Sequence, residues 1–312
     1  MRHSKLSIPV LFLAIFVLCF LPALSLARDG YSDLLMVREL SAADTAYNTN
    51  RWIDVPGRGP TLFYAQVNPF WAKMRYEPPG SSTRRNFGGS GCCPTTAAIA
   101  FANLLPASDL GKIRPFASTQ VNGYGFSSLS MNPITFPRRV GIKWLDYAQD
   151  YQRYLPLVFG QYAAGNNIKR SSWRSEAKSN GGTGVGFVPG LCSIYGIEYL
   201  KVSGKMNMDW IAPIKQGAIG IALSNTRYQP FAASNAHYVA IVGCDDTHLY
   251  IMDPQDKAAG EYWDSDSLGV LEVIEKGLVR VKLTDFDHLY INVIYVITNE
   301  DILLRLASAA PS

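Results

Sequence analysis

Apolar residues change their spacing along the chain, and the predicted elements change with it. Residues 33–46 set Leu34, Leu35, Val37 and Leu40 at helical spacing. The breaker cluster Pro56-Gly57-Arg58-Gly59-Pro60 follows. Residues 61–67 read as a strand, and residues 78–91, rich in Gly, Pro and Ser, as a loop. Residues 94–105 are apolar almost all round (Ala97, Ala98, Ile99, Ala100, Phe101, Ala102, Leu104, Leu105), which predicts a buried central helix. After an irregular stretch over 106–141, residues 142–154 have amphipathic helical spacing. Residues 180–190 form a Gly-rich loop, and 188–195 and 208–215 read as short helices. From residue 218 β character takes over, at 218–223, 237–244, 248–252, 270–274, 279–283 and 289–298, with a short helix expected at 301–307. Helices first and strands later predict an α+β fold with a helical part packed on an antiparallel sheet.

The N-terminus reads as an address. Arg2, His3 and Lys5 form a basic start, residues 10–21 are unbroken apolar, and Ser25-Leu26-Ala27 supplies small residues at −3 and −1. This predicts a signal peptide over 1–27, with cleavage after Ala27. The competing reading is a membrane anchor through an uncleaved N-terminus, but the run is short for a span of about 20 residues and Pro22 interrupts it. The expected product is secreted or periplasmic, with no membrane association after cleavage. Residues 28–60 read as an N-terminal appendage, 61–300 as the main domain and 301–312 as a C-terminal tail.

Composition narrows the classes. Of 312 residues, 48% are hydrophobic and 17% charged, which excludes a disordered, collagen-like or coiled-coil chain. The net charge of +4 loses Arg2 and Lys5 with the signal segment, too weak a balance for a nucleic-acid partner. Gly182-Thr183-Gly184-Val185-Gly186 is followed by no Gly-Lys-Ser/Thr, which argues against a phosphate cradle. His248, His288, Arg84 and Arg85 lie in polar stretches and read as solvated.

Two features carry chemistry. Gly91-Cys92-Cys93-Pro94-Thr95 opens the buried helix. Proline suits the first helical turn because its missing N–H has no partner there in any case. Cys92 then stands at the helix N-terminus, where the dipole and free N–H groups favour a thiolate nucleophile and serve an oxyanion. The second feature is a hairpin from two apolar runs around Cys244-Asp245-Asp246. A turn centred on Asp245 sets His237 directly opposite Asp253, with Cβ atoms about 4.5–5.5 Å apart. A one-residue change of register breaks that pairing. A carboxylate beside an imidazole fixes its tautomer and supports the imidazolium. Cys92, His237 and Asp253 thus form a candidate nucleophile, base and orienting group. Other readings of these residues are two disulfides among Cys92, Cys93, Cys192 and Cys244, or a zinc site of Cys92, Cys93, His237 and Asp253.

Four segments resemble motifs of the C39-like peptidases. Phe63-Tyr64-Ala65-Gln66-Val67-Asn68-Pro69-Phe70-Trp71-Ala72 resembles their Y-x-Q-x-D-P-x-W-A opening, and Ser90-Gly91-Cys92-Cys93-Pro94-Thr95-Thr96-Ala97 their S-G-C-G-P-T-S/A nucleophile motif. Ile214-Lys215-Gln216-Gly217-Ala218-Ile219-Gly220-Ile221 is similar to their L-x-x-G-x-P-V-I strand entry. Ala236-His237-Tyr238-Val239-Ala240-Ile241-Val242-Gly243, followed by Ile251-Met252-Asp253-Pro254, resembles their G-H-F-V-V-V-x-G and V-x-D-P pair. The matches run in consistent order over residues 61–265.

The resemblance implies a papain-like fold and a cysteine peptidase that acts on a peptide or protein through an acyl-enzyme, with no metal or organic cofactor. By motif, Cys92 is the nucleophile, His237 the base and later acid, and Asp253 the orienting carboxylate. The oxyanion donor maps to Gln66, with Asn86 as its competitor at close spacing before Cys92. Cys93 stands where the motif has glycine, so a side chain there either crowds the substrate or offers a second thiol. Two other functions fit the same residues: an NlpC/P60-like amidase on cell-wall peptides, and a binding domain that keeps the fold without activity.

Overall fold

A computed structural model describes residues 50–69, 71–72, 76, 86–105, 155–156, 159–160, 163, 183–203, 208–224, 230–231, 236–262 and 269–309. The signal segment, the helices expected at 33–46 and 142–154, the stretch 106–141, and Arg84 and Arg85 lie outside them.

The fold is α+β, with helices beside an antiparallel sheet. Strands β1 (Arg51–Val55) and β2 (Gly59–Phe63) form a hairpin. The expected strand at 61–67 stops at Phe63 because the chain turns at once. Asn68 N–H donates to Ala65 C=O, Trp71 and Ala72 N–H to Asn68 C=O, and the Trp71 indole to Ala65 C=O. Residues 51–60 belong to this hairpin, although β1 carries no strong alternating pattern. A short helix α1 (Phe87–Ser90) leads through Gly91 into α2 (Cys92–Leu104), the buried helix, which starts two residues before the predicted position. Every α2 residue except Asn103 is buried. Asn103 accepts from Leu62 N–H and donates to Leu62 C=O at 2.8 and 2.9 Å, and so ties the helix to β2.

Helices α3 (Phe187–Tyr195) and α4 (Ile211–Lys215) frame β3 (Tyr199–Ser203). Then follow β4 (Ile219–Ser224), β5 (His237–Cys244), β6 (His248–Met252), β7 (Glu272–Glu275), β8 (Leu278–Lys282), a 3-10 turn (Leu283–Leu289), β9 (Ile291–Ile297) and α5 (Glu300–Ala309). These strands form one seven-stranded antiparallel sheet in the order β3-β9-β4-β5-β6-β8-β7. β3 was not predicted: its residues are mostly exposed, so no core face marks them in the sequence. The central strands β4 and β5 are buried nearly end to end, which explains their continuous apolar runs. Helix α2 packs on β4 and β5, and Thr96 Oγ1 donates to Tyr238 C=O at 3.2 Å. Among the described residues, no helix is long and apolar enough to cross a membrane.

Candidate active site

Cys92 is the first residue of α2, and Gly91 sets how the chain enters that helix. Gly91 N–H donates to Phe87 C=O at 2.6 Å, and Thr95 donates back to Gly91 C=O through its N–H and Oγ1, at 3.1 and 2.7 Å. A Cβ at position 91 would lie 2.5 Å from Phe87 Cε1 and 2.7 Å from Phe87 O. The Phe87 ring cannot yield, because it is fully buried with edge contacts to Trp71 and Tyr76. Gly91→Ala is therefore expected to cost about 3 kcal/mol, in the range of core overpacking, and to displace Cys92. Thermal denaturation and the alkylation rate of Cys92 check this. A variant as stable and as reactive as wild type would show that the turn tolerates a side chain.

The β5–β6 hairpin differs in register from the expectation, and the difference has a local cause. Asp245 Oδ1 accepts from Thr247 N–H and His248 N–H, both at 2.7 Å, and Asp245 N–H donates to His248 C=O. This side-chain turn centres the loop on Asp246–Thr247 instead of Asp245. Cys244 pairs with Leu249 and Gly243 with Tyr250. Continued unchanged, that register aligns Asp253 with Ala240 and sends it to the face opposite His237. A β-bulge between Ile241 and Gly243 inserts one residue, so Ile241 pairs with Ile251 and Ala240 with Met252. The bulge returns Asp253 to the His237 face, level with Val239. The two side chains meet diagonally rather than directly across. Arg58 holds the bulge: its Nη1 donates to Val242 C=O at 3.1 Å and to Gly217 C=O at 2.8 Å.

His237 Nε2 lies 2.7 Å from Asp253 Oδ1, with both residues almost wholly buried (2% and 0% exposed). Asp253 Oδ1 also accepts Gln255 N–H at 2.9 Å, and Asp253 N–H donates to Gly277 C=O at 2.9 Å. Cys92 acts electrostatically on the same His237 imidazole. Burial acts to lower the His237 pKa, but the Asp253 carboxylate and Cys92 outweigh it and raise the value from 6.5 to about 9.

Gln66 is held between the halves of this site. Its N–H donates to Pro254 C=O and its Nε2 to Gly88 C=O, both at 2.7 Å. Asn86 is exposed and caps α1, with Oδ1 accepting Gly89 N–H at 2.8 Å. The structure thus brings Gln66 to the junction of the Cys92 and Asp253 segments and gives Asn86 a capping role.

Cys92, Cys93, Cys192 and Cys244 are all free thiols, so neither disulfide is present. Cys93 is fully buried beside Tyr238, and burial pushes its thiol well above the ordinary range. It therefore sits in the core, where it still feels the neighbouring Cys92. Among the described residues, no three His, Cys, Asp or Glu side chains are grouped to hold a metal ion. Burial also raises Cys192 to about 12 and Cys244 to about 11.

Sequence reasoning missed Ser224 and Tyr262. Ser224, at the end of β4, pairs directly with His237 across the ladder. Tyr262 is a buried phenol that feels the Asp253 charge. Both lie in segments without a motif: the β4–β5 pairing brings Ser224 to His237, and Tyr262 lies in the segment that follows Asp253. Compared with known proteins, the chain matches no family model and no curated sequence.

Proposed function

We propose that the chain is an exported cysteine peptidase of papain-like architecture that hydrolyses peptide bonds through Cys92, His237 and Asp253. The observation that carries this reading is the buried His237–Asp253 pair, with Cys92 at a helix N-terminus and electrostatically coupled to the same imidazole. A thiol on the first turn of a buried helix, facing a histidine and an aspartate from an antiparallel sheet, supports the papain-like assignment.

Each group has a step in the reaction. His237 holds the thiol proton, and the Cys92 thiolate attacks the peptide carbonyl. The remaining Gln66 Nε2 hydrogen, beyond the one given to Gly88 C=O, and the N–H groups of the α2 N-terminus are the donors assigned to the negative charge that develops on the carbonyl oxygen. The imidazolium then donates its proton to the leaving amine. A thioester remains on Cys92, and His237 activates the water that hydrolyses it. Asp253 keeps Nε2 protonated and Nδ1 directed at these transfers.

Incubation of wild type and Cys92→Ala with an unfolded protein and, separately, with purified peptidoglycan tests the proposal. Protein fragments from wild type alone are expected. Release of cell-wall peptides alone would replace the substrate with a cell-wall one. A biological effect that survives Cys92→Ala, with neither substrate cut, would make this a binding domain.

The pH dependence has a definite sign. The folded-state His237 pKa is raised, so the imidazolium persists to about pH 9. The acid that protonates the leaving amine is lost above that point, and kcat/KM is expected to fall as pH rises through about 9. The stability from this pair is full below about pH 6.5 and is lost through the same rise. A kcat/KM profile still climbing at pH 10 would contradict the assignment.

A further inference from the structure

We infer that Ser224 is a further catalytic residue, one that holds first the leaving amine and then the deacylating water against His237. This rests on the peptidase reading above. Ser224 ends β4 and is directly paired with His237 on β5, so their Cβ atoms stand about 4.5–5.5 Å apart on one face. In the sheet order β4-β5-β6, Asp253 reaches His237 from the β6 side and Ser224 from the β4 side. Helix α2, which carries Cys92, packs on β4 and β5.

The Ser224 side chain is fully buried, and its Oγ has no hydrogen-bond partner among the described residues. Buried hydroxyls without partners are uncommon, because desolvation is then uncompensated. Asp253 Oδ2, Gln66 Oε1, Ser90 Oγ, Tyr262 OH, Trp210 Nε1 and Tyr238 OH are also buried without a hydrogen-bond partner among the described residues. Of these residues, Ser224 is paired with His237 and Asp253 is bonded to it, so a polar guest at His237 meets unpartnered groups on two sides. The two guests that must pass His237 are an amine, which receives a proton, and a water, which gives one up. A hydroxyl both donates and accepts, so Ser224 serves both.

In deacylation the water oxygen attacks the thioester carbonyl while His237 takes one of its protons. Collapse breaks the C–S bond, its electron pair returns to Cys92 Sγ, and the acyl group leaves as a carboxylic acid. The enzyme is left as thiolate and imidazolium. Ser224 Oγ accepts the second O–H of the attacking water and aims its lone pair at the carbonyl. It undergoes no covalent change.

The test uses 4-nitrophenyl acetate, whose activated ester acylates a thiolate without leaving-group protonation. Stopped-flow measurement gives the burst (acylation) and the slow phase (deacylation) for wild type, Ser224→Ala, Ser224→Thr and Cys92→Ala. Burst amplitude counts correctly folded sites, so partial misfolding lowers amplitude and leaves the rates interpretable. Ser224→Ala is expected to keep the burst rate within about twofold and slow deacylation about tenfold, the worth of one hydrogen bond. Ser224→Thr, which keeps the hydroxyl, should recover most of the loss. Equal slowing of both phases, or wild-type deacylation in Ser224→Ala, would overturn the role of Ser224 alone. A wild type with no burst, or a burst that survives Cys92→Ala, would overturn the peptidase reading and this inference with it.

Discussion

His237→Ala is expected to lower kcat/KM by about 10³–10⁴-fold and stability by about 3–5 kcal/mol. The kinetic loss follows from removing the group that takes the thiol proton, protonates the leaving amine and activates the water. The stability loss has a separate origin. Asp253 is wholly buried, Oδ1 is held by His237 and Gln255 N–H, and Oδ2 has no partner among the described residues. Removing the imidazole leaves a carboxylate in the interior with one hydrogen bond, the costly case of a broken buried pair. Steady-state hydrolysis of an unfolded protein and urea denaturation read the two effects separately. A variant as stable as wild type would mean that Asp253 is solvated or protonated in the folded chain.

Asp253→Asn separates orientation from charge. Its amide occupies nearly the same volume and can still accept one hydrogen bond. The negative charge that raises His237 to about 9 is lost, however, and burial then favours the neutral ring. An amide N–H turned toward Nε2 also selects the wrong tautomer. A drop in kcat/KM of about 10²–10⁴-fold is expected, with the fall-off near pH 9 moving to lower pH. Because the volume is preserved and no charge is left unpaired, the stability cost should be smaller than for His237→Ala. A pH–rate profile on Asp253→Asn checks this, and an unmoved fall-off would detach Asp253 from the titration of His237.

The sequence and the structure agree where local chemistry decides the outcome. The limits of β5 and β6 are as expected, because unbroken apolar runs end at Cys244-Asp245 and at Asp253-Pro254. Helix α2 was legible from its all-round apolar character and from Pro94. The meeting of His237 and Asp253 was also expected, but by a different geometry. The turn position depends on the side-chain bonds of Asp245, and the bulge depends on Arg58, which lies 184 residues from Val242. The Asp245 bonds are local to the turn but leave no mark on apolar spacing, and the Arg58 contact comes from a distant segment. The same holds for Ser224. Its neighbour across the ladder is His237, and only the sheet order β4-β5-β6 makes that visible. Edge strand β3 escaped for the opposite reason: exposed strands need no apolar alternation.

The coupling of Cys92 to His237 is the central claim, and cysteine-resolved alkylation tests it most directly. Wild type and His237→Ala would be treated with iodoacetamide between pH 5 and 8, with modification at each cysteine read by mass spectrometry. Burial raises Cys93, Cys192 and Cys244, so they should stay silent over this range. The silence of Cys93 also reports that the variant remains folded. Rapid modification of Cys92 at pH 6, lost in His237→Ala, is the predicted result. A Cys92 that reacts no faster than a free thiol in water, or equally fast in both proteins, would contradict it.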